Sequence, residues 1–339
     1  MKNTALLVLF VVVVGVLPWT MRSSSLLGFL VLVGIYAIVA MGVDLVFGYA
    51  GQITMANGAF FAIGAYSSGI LTLRHGVPPL LALVIGMIVA AIIAYLIGAP
   101  LLGMLTHFHL AMATLAFGLL VYNFLVVGGE FTGGFSGLPG VPRFSIGPYT
   151  IADQMSYYYL TWVFVIILLI IGLNVGHSQV GRILKAIRTD EIAASAVGIN
   201  VRAYKLNIFV LSAIFSSVGG SLLAHYSMFV APTTFDITTS FDLITMSVLG
   251  GRGTIIGGVF GATFLKLLPQ MTDFFRNYRL LSNGILITLV LLFFPGGISG
   301  ALNLALRQAG KIIGSRAPRP PSGALAQPSQ LPVNLGEKT

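Results

Sequence analysis

Residues 26–47, 53–73, 80–102, 110–127, 157–173, 206–230 and 281–294 each read as a near-continuous apolar run. A helix needs about 20 such residues to cross the hydrocarbon of a bilayer. Inside lipid a backbone must satisfy its polar groups internally, so runs of this kind become helices. That feature alone restricts the chain to an all-α, polytopic transmembrane helical bundle. Composition agrees where it matters. Only 8% of the residues are charged and 57% are hydrophobic, whereas a soluble domain carries about a quarter charged residues. A soluble fold of 339 residues could not bury so much apolar surface.

Two further stretches complete the count. Residues 5–19 form a shorter apolar run behind Lys2, and Leu17-Pro-Trp-Thr-Met-Arg22 offers no small-residue cleavage site. The run therefore reads as an uncleaved first span rather than a signal peptide. Residues 241–249 are apolar but too short to cross; Gly250-Gly-Arg-Gly253 interrupts them and residues 255–268 resume. This region reads as two short or broken spans, for a total of about ten, with eight or nine as alternatives. The transmembrane domain covers residues 1–300.

Basic residues set the orientation. With the N-terminus inside, the sixth span delivers the chain to the cytoplasm near Asn174, ahead of Arg182, Lys185, Arg188, Arg202 and Lys205. The opposite loop, 128–156, holds Arg143 beside Glu130 and Asp153 and is rich in Gly and Pro, which places it outside as a series of turns. The tail, 301–339, carries Arg307, Lys311, Arg316 and Arg319 and falls inside; its Ser, Ala and Pro content reads as disorder. Both termini are then cytoplasmic in a bacterial inner membrane. The net charge of +9 reflects this topology and not nucleic-acid binding. With no cysteine, the chain has no disulfide, thiolate metal site or cysteine nucleophile.

The segment 178–205 is unlike its surroundings. Ile183 and Ile187 share a helical face, with Arg182, Lys185 and Arg188 around it. A second short helix follows: Thr189 or Asp190 can cap it, Glu191 suits its first turn, and Gly198 stands where it would stop. A helix of roughly two turns is marginal alone in water. A topology-setting loop explains the arginines but not the cap, the alanines or the glycine stop. The segment reads as a docking surface for a cytoplasmic partner, formed by Arg182, Lys185, Arg188, Asp190, Glu191, Ala193, Ala194, Gly198, Ile199 and Asn200.

Residues 48–69 set Gly51, Ala56, Gly58, Ala62, Ala65 and Gly69 at close spacing, which lets helices approach in lipid. Gln52, Thr54 and Asn57 open this span and serve either interhelical hydrogen bonds or, with Thr114, a translocation path. Gly250-Gly-Arg-Gly253 is not a phosphate-binding loop; Arg252 belongs at a membrane surface. The breaks at Gly48–Gly51 and at Gly250–Gly253 hint at an internal duplication. Asp44 and Asp242 lie near span ends, either at membrane interfaces or paired with Arg252 or a partner subunit. The five histidines suggest no metal site, and no Ser-His-Asp grouping or chain of intramembrane acids points to an enzyme or a proton-driven carrier.

Glu191-Ile-Ala-Ala-Ser-Ala-Val-Gly198-Ile-Asn200 resembles the coupling segment of ABC importer permeases. Arg188-Thr-Asp-Glu-Ile-Ala-Ala-Ser-Ala-Val-Gly-Ile-Asn-Val201, with Tyr204-Lys205, resembles more closely the high-affinity branched-chain amino acid permeases, and among them the M-type subunit. Phe47-Gly-Tyr-Ala-Gly-Gln-Ile-Thr-Met-Ala-Asn57, Ala113-Thr-Leu-Ala-Phe-Gly118, Thr132-Gly-Gly-Phe-Ser-Gly-Leu-Pro-Gly140 and Leu249-Gly-Gly-Arg-Gly-Thr254 follow in the family's order. Thr54-Met-Ala-Asn57 departs from the Ser-Leu-Gly-His-type run common there. The resemblance implies an importer permease subunit that binds no cofactor itself. It implies a second homologous permease, two cytoplasmic ATPase subunits that bind ATP, and a substrate-binding protein outside. The implied cargo is a branched-chain or related amino acid; the alternatives are urea or a short amide, or a stand-alone secondary carrier.

Overall fold

The computed structural model describes residues 12, 14–18, 24–104, 107–147 and 149–271, with scattered positions from 278 to 300. Helix α1 (Ser24–Asp44) runs into a π turn (Leu45–Tyr49). After a non-helical stretch come α2 (Asn57–His75), α3 (Pro79–Met104), α4 (His107–Val127) and α5 (Gln154–His177). Two short helices, α6 (Gln179–Thr189) and α7 (Glu191–Ala196), precede α8 (Val201–Ser227). The pair α9 (Ile237–Gly250) and α10 (Ile255–Met271) follows.

Five helical stretches are long and apolar enough to cross a membrane: Ser25–Tyr49, Pro79–Leu102, Phe108–Val127, Gln154–His177 and Val201–Ser227. The pair Pro232–Gly250 and Ile255–Leu268 meets that standard only as one unit, bent by 118° at its break. The expected tally of about ten spans is thus not reached among the described residues. α2 falls short because Asn57, Ser67, Ser68, Arg74 and His75 lower its apolarity; neighbouring helices bury it instead. The expected spans at 5–19 and 281–294 and the tail 301–339 lie largely or wholly outside the described residues.

Two helices form the centre. α1 is 83% and α8 78% buried, against 28% for α3 and 22% for α4. α8 packs along α1, α2 and α3, while α1 also meets α5 and α10. The α2–α8 seam is made of small residues. A Cβ at Gly64 would fall 2.2 Å from the Ser217 carbonyl oxygen, and one at Gly220 2.0 Å from the Phe61 carbonyl oxygen. Lipid tails offer no hydrophobic advantage to helix association, so such backbone proximity carries the packing.

The bundle has two distinct poles. At one, α6 and α7 project, and Arg202 donates to the Ala99 carbonyl at 2.6 Å. At the other, Leu138–Pro139 pairs antiparallel with Phe229–Val230, and Ser145–Ile146 with Tyr149–Thr150. The loop 128–156 therefore contains short ladders as well as turns. His225, buried at the end of α8, bonds Ser68 Oγ at 2.9 Å and the Pro142 carbonyl at 2.7 Å, which ties this loop to the bundle.

Candidate functional site

The projecting segment is built from its caps. The Ser178 hydroxyl accepts the Gly181 amide at 3.4 Å and starts α6, which buries Gly181, Leu184 and Ile187 and leaves Ile183 half-buried. Asp190 then adopts extended geometry and ends that helix. Its Oδ1 accepts the amides of Ile192 at 2.9 Å and Ala193 at 3.0 Å, so Asp190 is the cap of α7. Thr189 closes α6 instead, its hydroxyl donating back to the Lys185 carbonyl at 3.0 Å. Gly198 ends the turn at φ +85°, a region that a side chain strains. Asn200 Oδ1 accepts the Ala203 amide at 3.1 Å and opens α8.

The ten residues singled out here divide by facing. Ala194 packs inward, and the Lys205 ammonium forms an ion pair with Glu191 that pins α7 to α8. Arg182, Lys185, Asp190, Ala193, Gly198 and Asn200 are exposed, and Ile199 is half-buried. The Lys185 ammonium sits 5.2 Å from the centre of the Tyr49 ring. Arg188 turns its guanidinium back to the bundle, donating to the Gly48 carbonyl. Ile192 and Val197, 82% and 77% exposed, complete the outer surface. Sequence reasoning passed over both, although two branched apolar residues in a polar segment were the available signal.

Arg188 reaches the point where two breaks in the bundle meet. Asp44 Oδ1 accepts the Gly253 amide at 2.9 Å and the Ser247 hydroxyl at 3.2 Å. Its Oδ2 finds no hydrogen bond among the described residues. A Cβ at Gly48 would stand 2.5 Å from the Gly253 nitrogen, and one at Gly51 2.8 Å from Arg188 Cγ. Asp44 and Asp242 are both buried in the bundle, at 0% and 2% exposure. The last turn of α9, through Ser247, and the break after it, through Gly253, supply the donors that a buried carboxyl needs. Arg252 is exposed, with its guanidinium 4.6 Å from the Phe47 ring centre.

From this point residues 50–56 run inward without forming a helix. The Met55 amide donates to Thr114 Oγ1 at 3.1 Å, and that hydroxyl donates to the Leu110 carbonyl at 2.8 Å. Thr54 Oγ1 accepts the Ala56 amide at 3.3 Å. Gln52 is fully buried, and neither amide atom of its side chain finds a hydrogen bond among the described residues. Asn57 Nδ2 donates to Ser212 Oγ at 2.7 Å and Ser216 Oγ at 3.0 Å. Those serines occupy the middle of α8, so α2 starts halfway through the bundle. Irregular backbone at that depth is tolerated where protein encloses it or where it lines a cavity. Of the four polar residues, Thr114 and the stretch carrying Thr54 are brought together, while Asn57 bridges to α8.

A bundle of membrane-length apolar helices, with glycine-rich breaks that meet beside a capped knob at one pole, defines a polytopic membrane protein. Comparison with known proteins agrees. A profile described as "Branched-chain amino acid transport system / permease component" matches residues 25–295, and the chain belongs to that family. It is 29% identical over 320 residues to the high-affinity branched-chain amino acid transport system permease protein LivM of Escherichia coli K12, covering 88% of this chain and 75% of that protein. The corresponding LivH protein of Salmonella typhimurium LT2 is 25% identical over 78% of this chain and 91% of its own length. The fructose import permease protein FrcC of Rhizobium meliloti is 27% identical over 68% of this chain and 65% of that one. No solved structure matches significantly. The chain is a transport component, not an enzyme.

Proposed function

We propose that this chain is the membrane-spanning subunit of an ABC importer for a branched-chain or related amino acid, and that the α6–α7 knob receives the ATPase stroke. The observation that carries the reading is the reach of Arg188, from the knob to Gly48, beside the point where the glycine-rich breaks meet. Motion of the knob would pass to the π turn, the stretch 50–56 and the α9–α10 break without unwinding a long helix. Gln52, Thr54, Asn57 and Thr114 would flank the path so opened. Exposed Ile192 and Val197 support a protein partner on the knob. The partners are two cytoplasmic ATPases that hold the ATP, a second homologous permease and an external binding protein.

With the knob cytoplasmic, both termini fall inside and the loop 128–156 outside, in a bacterial inner membrane. Ten crossings satisfy this arrangement if α2, α9 and α10 and the runs 5–19 and 281–294 each count once. Asn57 commits its amide protons to Ser212 and Ser216. That supports a structural reason for the departure at Thr54–Asn57, and with it the amino acid reading over urea or a short amide. The similarity to a protein named as a fructose permease supports placing the choice of cargo in a few side chains rather than in the scaffold. The test is ATP-driven uptake by the reconstituted complex. Gly198→Pro is expected to abolish uptake while the chain still inserts and pairs. Normal uptake by that variant, or full-speed transport by the chain without an ATPase, would overturn the proposal.

A further inference from the structure

Asp236 precedes α9, and its neighbours set its depth. With Met55, Ala59, Leu115, Gly118 and Ser240 it lines a cavity of about 10 Å³, room for about one water molecule. Leu115 and Gly118 are at the middle of α4, and α2 begins level with the middle of α8. The cavity therefore lies about halfway through the bundle. The Asp236 side chain is half-buried, and a carboxylate at that depth favours a cation beside it. Asp236 Oδ1 accepts the Thr238 hydroxyl at 2.6 Å and the Thr239 amide at 3.0 Å. Among the described residues Oδ2 has no hydrogen bond, and no Lys or Arg forms an ion pair with Asp236.

The facing wall has the opposite polarity. Ser240, 6% exposed, lines the cavity, and its hydroxyl makes no hydrogen bond among the described residues. It lies against the first turn of α2, since a Cβ at Gly58 would stand 2.2 Å from its oxygen. The amides of Asn57, Gly58 and Ala59 precede the first helical bond, from the Phe60 amide to the Ala56 carbonyl at 3.0 Å. They carry the partial positive charge of a helix start. Ser240, Ala59 of the opening turn of α2 and Asp236 thus line one small space. Met55, Leu115 and Phe235 supply apolar wall beside them.

We infer that this cavity is a mid-membrane station for a zwitterionic α-amino acid. The ammonium meets Asp236 Oδ2, the carboxylate meets the Ser240 hydroxyl and the opening amides of α2, and the side chain lies on the apolar wall. The station rests on the reading of the chain as an amino acid permease. In the present conformation it is closed. Its walls include Met55, Phe235 and Asp236, which are not α-helical, so displacement of the stretches that carry them opens it without breaking an α-helix. A neutral sugar or amide would leave Asp236 without a cation.

The test is leucine uptake by proteoliposomes holding the complete transporter and its binding protein, with ATPase activity followed in parallel. Asp236→Asn keeps the cap and removes the charge. Uptake is expected to fall about tenfold, the scale of one charge-assisted hydrogen bond, with ATPase activity retained. Asp236→Glu is expected to restore much of it. If wild-type transporter takes up leucine and Asp236→Asn does so at the same rate, the station alone is refuted. Equal loss in the Asn and Glu variants marks a structural residue and also refutes it. If the wild-type transporter takes up no amino acid, the functional reading falls and the station with it.

Discussion

At Gly220 the helix backbone leaves no room for a methyl group. The atom its Cβ would meet at 2.0 Å is a backbone oxygen, which cannot swing aside as a flexible side chain could. Gly220→Ala is expected to cost about 1–3 kcal/mol by overpacking, read as a lower unfolding temperature in detergent. Gly69→Ala, whose nearest neighbour would be the Val141 side chain at 3.4 Å, is expected to be near neutral. Equal effects of the two would refute the packing account of the α2–α8 seam. The sequence announced a run of small residues here but not which ones touch. Gly64, which presses on Ser217, was not among those singled out, because composition alone cannot say where a partner helix crosses.

The α6–α7 knob is an element of local origin. Its cap, its first-turn acid and its glycine stop lie within ten residues, so sequence could place it almost whole. What holds it in register is not local: Glu191 and Lys205 sit on different helices. Glu191→Lys and Lys205→Glu are each expected to reduce coupled uptake, and the double variant to regain part of it. Lys205 is buried and Glu191 half-buried, so each single reversal leaves a like-charge pair partly out of water and is expected to cost more than the roughly 1 kcal/mol of a surface pair. A double variant no better than either single would remove the pair from the mechanism. Asp44 was harder to read. Near the end of an apolar run, an acid does not announce its partners, and only the fold brings the Ser247 hydroxyl and the Gly253 amide to it.

For the whole molecule, sidedness is the open quantity, and the absence of cysteine makes it accessible. Val197→Cys and Tyr149→Cys place single thiols at positions 77% and 81% exposed, on opposite poles. A membrane-impermeant maleimide is expected to label Tyr149→Cys in intact cells and Val197→Cys only in inverted vesicles. The reverse pattern would turn the molecule over and separate the knob from any cytoplasmic motor. The apolar surfaces of α3 and α4 agree with lipid or a second permease around them. α2 mixes polar residues among its apolar ones and is enclosed by its neighbours, so its surroundings and not its hydropathy bury it.

The sequence by itself determined the class of fold, the apolar helices and the capped knob, because each follows from local pattern: length against bilayer thickness, and side-chain caps on nearby amides. Only the tertiary structure decided that two glycine-rich breaks, some 200 residues apart in sequence, close on Asp44 and give its buried carboxyl hydrogen-bond partners. It likewise brought Asp236 and Ser240 to the opening amides of α2. Those neighbours are set by how helices cross, and crossing depends on backbone proximity that no local pattern encodes.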